Sequence, residues 1–527
     1  MPAQLKKKNF LWNPIIILFS GIVLAGIFFR TYSFHDWLRF NADQSRDAEV
    51  VSQVVDGNTP IPLLGPKAGG TVFRLGPAFY HFQIISAKIF GNFPDKMAYP
   101  DLFTSILSIP LIFIFLRKNF GNKISLGLTA LFAISFYAIK YSRFAWNPNS
   151  IPFWTMLFLY SLSAAVIIKE KKKFLWPILA GISFGIAVQL HTLLLVILPI
   201  LTLGVASFFI WKNKKLWKNF VLIFLIAIFL NVPQIVSENQ NKWENTKAFF
   251  QGMNIKEDKN SSLLSNIATD TKCFVKGNQY IISSLSDSDD CKIYNSKNKW
   301  TLLYAIFGTI FFVGGIMLFV LNFKKEKDQE RKYFLGIILS YVVLSFFVMI
   351  PVANEISMRF FLMVIFMPFL LLGFWVKFLL EKYGKRGIYI GSSILAILAL
   401  FNLITIKNEF IAFTNHTTKP GGSFENADLK EVELISQYII SNTNGTKTAF
   451  IGGNKQYLFK FEKSIGYFTE KAGIQLAPEK KSETGSNIFR IVATSKNQNI
   501  LEKSAEEFIA LDGQAFGRFS VIKLIKK

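Results

Sequence analysis

Cysteine is almost missing from this chain, with two residues, Cys273 and Cys291, in one polar segment. That excludes a disulfide-built scaffold. With four histidines and no Cys-x-x-Cys or mixed His/Cys array, there is also no zinc-site pattern. A Cys273–Cys291 bridge is open if that segment faces an oxidising compartment, and two separate thiols are the equal alternative. No repeat of fixed period occurs, and low-complexity tracts are limited to Lys-rich loops. Acidic residues are scarce, 34 against 59 Lys and Arg, for a formal charge of +25. Such a balance can mean nucleic acid, but a nucleic-acid binder gathers its basic residues on one polar face. Here they fall in short clusters between apolar runs, which is how cytoplasmic loops of membrane proteins are built.

What is abundant is apolar surface. Over 527 residues, 51% are hydrophobic, 56 are Phe, and the mean hydropathy is +0.35. That composition does not suit soluble domains and points to a polytopic membrane protein. A span needs about 20 mostly apolar residues. Eleven runs qualify: 13–30, 98–116, 124–142, 150–168, 174–190, 192–211, 220–236, 301–322, 333–351, 359–380 and 388–406. The N-terminal "MPAQLKKKNF" has the charge layout of a signal sequence but no small-residue cleavage site, so it reads as an uncleaved first helix.

One more apolar run, "LGPAFYHFQIISAKIFG" at 75–91, is short and carries His81, Gln83 and Lys88. Counting it as a span would invert every later loop. Leaving it out puts "LKKK", "RKNFGNK", "KEKKK", "KNKKLWK", "KKEKDQERK" and "KYGKR" on one side, with 22 Lys and Arg between them. The opposite loops "SRFAWNPNS" and "VANEISMR" hold one each. This asymmetry predicts a cytoplasmic N-terminus, eleven spans and an extracytoplasmic C-terminus in the cell membrane. The 75–91 run is then an interfacial or re-entrant helix. Segments 31–97, 237–300 and 407–527 all face out. The last has soluble composition: "ADLKEVELISQYIISN" is helical in period, and "TKTAFIGG", "NIFRIVATS" and "FSVIKLI" read as strands, predicting a small α/β domain.

The first outer segment balances six basic against six acidic residues. In "WLRFNADQSRDAEVVS", Asp43 and Asp47 are four apart and stack on one helix face, an unfavourable pairing unless a cation such as Arg46 sits there. Asp43 has a plainer explanation as N-cap of the helix that follows. Beyond it, "GNTPIPLLGPKAGGTVFRLGPAFYHF" sets Arg74 and His81 around a Leu-Gly-Pro turn, in a loop too apolar to be disordered. "KYSRFAWNPNSIPFW" gathers Arg143, Trp146, Asn147 and Asn149 at two helix ends. Trp there is a common interface anchor, and the Asn residues suit either sugar hydroxyls or turns. Gln189 and His191 occupy another helix junction, where a structural role competes with a functional one. Glu355 and Arg359 follow the ninth span, either as an i, i+4 pair or with Arg359 left to bind phosphate through parallel hydrogen bonds. Singly these signals are weak, but Asp43, Arg74, His81, Arg143, Asn147, His191 and Arg359 all fall on the same expected face.

Residues 13 to about 406 resemble the GT-C fold glycosyltransferases, near the protein O-mannosyltransferases and the lipid A aminoarabinose transferases. The motifs are "ADQSRD" soon after the first span, "RLGPAFYHF" before an interfacial helix, "SRFAWNPNSIPF", and "MRFFLMVIFMPFLLLG". The resemblance implies an α-helical polytopic catalytic domain, 1–406, followed by an extracytoplasmic α/β domain, 407–527. It implies inverting transfer of a sugar from a polyprenyl-phosphate donor to an extracytoplasmic glycan, lipid or protein, with Asp43 as base and Arg359 as donor-phosphate ligand. Gln44 stands where relatives often have a second acid, and "WNPN" lacks an Asp found in some, so metal assistance is doubtful. Gln44, Arg46 and Asp47 are then supporting residues. The rival classes are a lipid-linked glycan flippase, which would place charges near the midplane in repeated halves, and an oligosaccharide polymerase or ligase with a pyrophosphate donor.

Overall fold

In the computed structural model, residues 14–167, 174–256, 262–285, 299–415, 428–453, 455–494 and 507–527 are described. Helix α1 (Pro14–Thr31) leads into α2 (Ala42–Val55), α3 (Ala78–Phe90) and the single turn α4 (Pro94–Met97). The bundle continues through α5 (Tyr99–Ala133), α6 (Phe136–Lys140), α7 (Ile151–Ala165), α8 (Leu175–Ala187), α9 (Thr192–Lys212), α10 (Trp217–Leu230) and α11 (Val232–Gln240). Next come α12 (Glu244–Lys256), α13 (Leu263–Ser283), α14 (Lys299–Lys325) and α15 (Gln329–Met349). Two 3-10 segments, Ile350–Glu355 and Met358–Val364, precede α16 (Phe366–Tyr383) and α17 (Lys385–Thr414).

Each of the eleven expected runs carries a helix, but not each as one long rod. Among the described residues, six helices are long and apolar enough to cross a membrane alone. Two bent pairs, α10 with α11 at 58° and Met358–Val364 with α16 at 64°, raise this to eight. Helices α7 and α8 are shorter and apolar. Helix α5 holds two expected runs because it folds back at Gly121, whose φ of 69° and ψ of −175° suit only glycine. The proof is α1: Arg30 donates from Nε to Ser105 Oγ at 2.9 Å and from Nη1 to Ala133 O at 2.7 Å. A continuous helix would hold those two residues about 42 Å apart. No atom crowds a Cβ at Gly121, so Gly121→Ala tests the backbone alone. It is expected to lower stability by about 1–3 kcal/mol, read as a lower thermal midpoint in detergent with the spectrum of the folded protein retained.

The 75–91 run forms α3, which packs on α2, α4 and α5 while leaving Ile85, Ile89 and Phe90 exposed. That one-sided apolar face is the form of a helix lying on a membrane. The 237–300 segment is more deeply built in than its polar composition suggests. From Cys273 to Ser283 every residue of α13 is buried, with Gly277 against the Phe361 ring. Asn402 of α17 ties in its end by donating to Ile282 O at 2.8 Å. Cys291, the other half of the expected bridge, lies outside the described residues.

The C-terminal unit is a five-stranded sheet, β1 (Thr448–Gly453), β2 (Gln475–Pro478), β3 (Asn487–Ala493), β4 (Phe508–Phe516) and β5 (Phe519–Lys526), in the order β2-β1-β3-β5-β4. Strand β1 runs parallel to β2 and β3, and β5 antiparallel to β3 and β4. It carries α18 (Leu429–Ser441) and α19 (Lys455–Lys471). This unit docks on the first inter-helix segment. Leu429 N donates to Leu38 O at 2.8 Å, and His35 lies 3.1 Å from Glu433 Oε2. Helix α19 backs α2: Phe40 packs on Tyr467 and Phe468, and Lys471 Nζ donates to Ser52 Oγ at 3.0 Å.

Candidate active site

Helix α2 begins with a capping box in which Asn41, not Asp43, is the N-cap: Asn41 Oδ1 accepts from Asp43 N at 3.2 Å, and Gln44 Oε1 accepts from Asn41 N. The plain explanation of Asp43 as a helix cap is thereby removed. Its side chain is half exposed and accepts from Arg46 Nη1 at 3.0 Å. Arg46 also reaches Asp47 with two parallel bonds, Nε to Oδ1 and Nη2 to Oδ2, each 3.0 Å. The guanidinium therefore stands between the two carboxylates as the spacing required. Asp47 is 1% exposed and also accepts from the Tyr80 hydroxyl at 2.8 Å. Burial pushes the Asp47 carboxyl up to about 6, against the opposing pull of Arg46 and the Tyr80 hydrogen bond. Burial acts against the Arg46 charge, but Asp47 and Asp43 outweigh it and its pKa is raised.

The other half of the site is organised by the turn at 143–149. Gln44 Nε2 donates to Ala145 O at 3.2 Å, and buried Asp101 accepts from Trp146 N at 2.9 Å. The Arg359 guanidinium sits 5.4 Å above the Trp146 ring and 5.5 Å from that of Phe360. So the neighbour of Asp43 holds residue 145, and Arg359 rests on residue 146. The proposed Glu355–Arg359 pair does not form: the backbone leaves helical geometry at Ile356 and Ser357, which removes the i, i+4 relation. Among the described residues, no hydrogen bond or ion pair engages Arg359, so its donors remain available.

The remaining candidates separate by what their donors already do. Arg74 gives Nε to Gly65 O at 2.9 Å and keeps both terminal nitrogens unbonded among the described residues. Its charge acts on Tyr80, whose phenol is pushed up first by burial and then by Asp47. Arg143 is different. Its terminal nitrogens donate to the carbonyls of Phe29, Arg30, Tyr32 and Ser33 at 2.8 to 3.3 Å, capping the C-terminus of α1. Those bonds commit both terminal nitrogens of Arg143 to the end of α1. Asn147 likewise holds Leu190 O at 2.8 Å, and His81 Nε2 pairs with Pro62 O at 3.0 Å. His191 caps α9 through Nδ1, which accepts from Leu193 N at 3.2 Å, while its ring meets Phe360 edge-on beside Arg359.

Sequence reasoning missed Tyr80 as the second partner of Asp47, and Asp101 as the anchor of Trp146. It also undervalued Gln189, which accepts from Ala78 N at 3.0 Å and donates to Gly185 O and Leu230 O. Gly76 is required beside it, since a Cβ there would collide with the Gln189 side chain. Only the Asn41 cap had a readable signal, the Asn-x-x-Gln spacing. A small, partly open cavity of about 10 Å³ between α5, α6, the start of α7 and the segment around Leu362 is lined by Ser105, Tyr141 and Asn149 but by none of Asp43, Arg74 or Arg359.

A family model of dolichyl-phosphate-mannose-protein mannosyltransferases matches residues 75–236. No curated protein sequence matches the chain. Among solved structures, ArnT from Cupriavidus metallidurans bound to undecaprenyl phosphate is similar with a TM-score of 0.56 at 12% identity, covering 96% of this chain and 97% of that one. The oligosaccharyltransferase AglB from Archaeoglobus fulgidus, in complex with an inhibitory peptide and a dolichol-phosphate, is similar with a TM-score of 0.50 at 11% identity, covering 96% and 74%.

Proposed function

We propose that this integral membrane protein, which has the GT-C fold, is a glycosyltransferase that moves a sugar from a polyprenyl-phosphate donor to an acceptor hydroxyl. The observation that carries the reading is that Gln44, next in sequence to the half-exposed Asp43, bonds Ala145 O while the Arg359 guanidinium rests on the ring of Trp146, which ties the carboxylate-bearing helix start and the guanidinium to consecutive residues. The matches to proteins whose names include dolichyl-phosphate-mannose, undecaprenyl phosphate and dolichol-phosphate support the donor class.

The chemistry follows from the residues. The acceptor oxygen attacks the anomeric carbon as Asp43 takes its proton, forming the new C–O bond while the bond to the donor phosphate oxygen breaks. One displacement inverts the anomeric centre. The departing polyprenyl phosphate gains negative charge, which Arg359 and Arg74 stabilise in a partly dry site. Arg46 bonds both Asp43 and Asp47 and so occupies the place a divalent cation would need between them, and no step is routed through a metal. The isoprenoid approaches within the bilayer. The loop-charge asymmetry supports a reaction outside the cytoplasm, with the acceptor, a glycan, lipid or protein, arriving from water.

Arg359→Ala tests the phosphate role. The expected result is a rise in apparent donor KM of roughly 10- to 150-fold, since a charge-assisted bond contributes roughly 1.5–3 kcal/mol, with an unchanged thermal midpoint. An unchanged donor KM in an active variant contradicts it.

A further inference from the structure

We infer that Asn245, at the start of α12, is a positioning residue that aims Arg74 at the donor anion; this rests on the function proposed above. Residues 65–75 form a small antiparallel hairpin, with Ala68 N donating to Phe73 O at 2.8 Å and Leu75 N to Pro66 O at 3.0 Å. Arg74 bridges Lys67 across it at a position between those bonds. In an antiparallel ladder such a residue turns its own N–H and C=O away from its partner strand. Left alone, those two groups would face water on an open edge.

Asn245 takes both. Its Oδ1 accepts from Arg74 N at 2.7 Å, and its Nδ2 donates to Arg74 O at 3.0 Å, so one amide does the work of a neighbouring strand. The contact is supported by packing, not left as an isolated pair. Phe73 meets Phe249 edge-on at 5.1 Å, Ala248 joins Ala68 and Leu75 in a small apolar cluster, and Gly252 lies under Thr71. With the backbone held by Asn245 and Nε by Gly65 O, the two terminal nitrogens of Arg74 are fixed as a fork on the Tyr80 side of the site. Such orientation matters because displacements near 1 Å at a reacting site can cost about 10²-fold in rate. The 237–300 segment thus holds the Arg74 backbone through the Asn245 side chain.

The test measures binding of a polyprenyl phosphate without sugar to purified protein in nanodiscs, with donor KM and kcat alongside. Asn245→Ala is expected to weaken binding and to lower kcat/KM for the donor by about fivefold. Arg74→Ala should do the same, and Asn245→Ala should add nothing in its presence. Phe249→Leu, which loosens the same packing without touching the Arg74 backbone, should leave both values near wild type. Wild-type affinity in Asn245→Ala, or effects of the two variants that multiply, overturns the inference. So does wild-type protein that transfers sugar while Arg74→Ala binds normally. Binding that follows this pattern without any sugar transfer would sustain the role of Asn245 and count against the glycosyltransferase reading instead.

Discussion

Asp43→Asn is expected to lower sugar transfer by roughly 10²- to 10⁴-fold, the range that a positioned general base supplies, while the protein folds normally. The amide has the same shape and cannot take the acceptor proton. The helix start does not depend on Asp43, because Asn41 is the cap. The Arg46–Asp43 ion pair is also a weak stability element, since both side chains are about half exposed and such pairs contribute about 0–1 kcal/mol. Loss of activity with an unchanged thermal midpoint therefore isolates the chemical role. Transfer at the wild-type rate would remove Asp43 as base.

Arg46→Met acts in the opposite way, on stability first. It leaves the Asp47 carboxylate buried with only the Tyr80 hydroxyl, and removing one partner of a buried pair costs about 3–5 kcal/mol. The effect is pH-dependent, and its sign is set by Asp47. A carboxyl whose pKa is raised in the folded state binds its proton more tightly there, so its contribution is full below its ordinary value near 3.8 and is lost as pH rises through about 6. Without Arg46 the folded value climbs further. The gap in thermal midpoint between wild type and Arg46→Met should therefore be small below pH 4 and widest above pH 6. Adding Asp47→Asn should recover much of the loss, because no buried charge then remains. An equal gap at all pH values would contradict this account of the pair.

The two variants separate roles that look alike in the sequence. Asp43 and Asp47 are both acids on one helix face, four residues apart, and nothing local distinguishes them. Burial does: Asp47 turns inward against Tyr80, which comes from α3, while Asp43 remains accessible. The ladder of apolar runs and Lys-rich loops was readable because bilayer thickness and loop charge act over whole segments. Strands β1, β3 and β5 and helix α18 were readable from periodicity. Strand β2 is four residues long, and β4 is exposed over its middle, so neither shows the apolar pattern of a core strand. The fate of Arg143 was not readable at all. Its donors meet carbonyls at the end of α1, more than a hundred residues away, a contact that no local spacing announces. Asn245 is the same case in reverse, a polar residue in an unremarkable helix that reaches Arg74 across 171 positions.

The most direct test of the central claim is to incubate purified protein in native lipid, with membrane extract as acceptor source, against two labelled donors. One is a polyprenyl-phosphate monosaccharide and the other a polyprenyl-pyrophosphate oligosaccharide. Release of free polyprenyl phosphate from the first, dependent on Asp43 and absent with the second, is the predicted result. Turnover of the pyrophosphate donor alone, or movement of intact lipid-linked sugar across the bilayer with no bond broken, would contradict it.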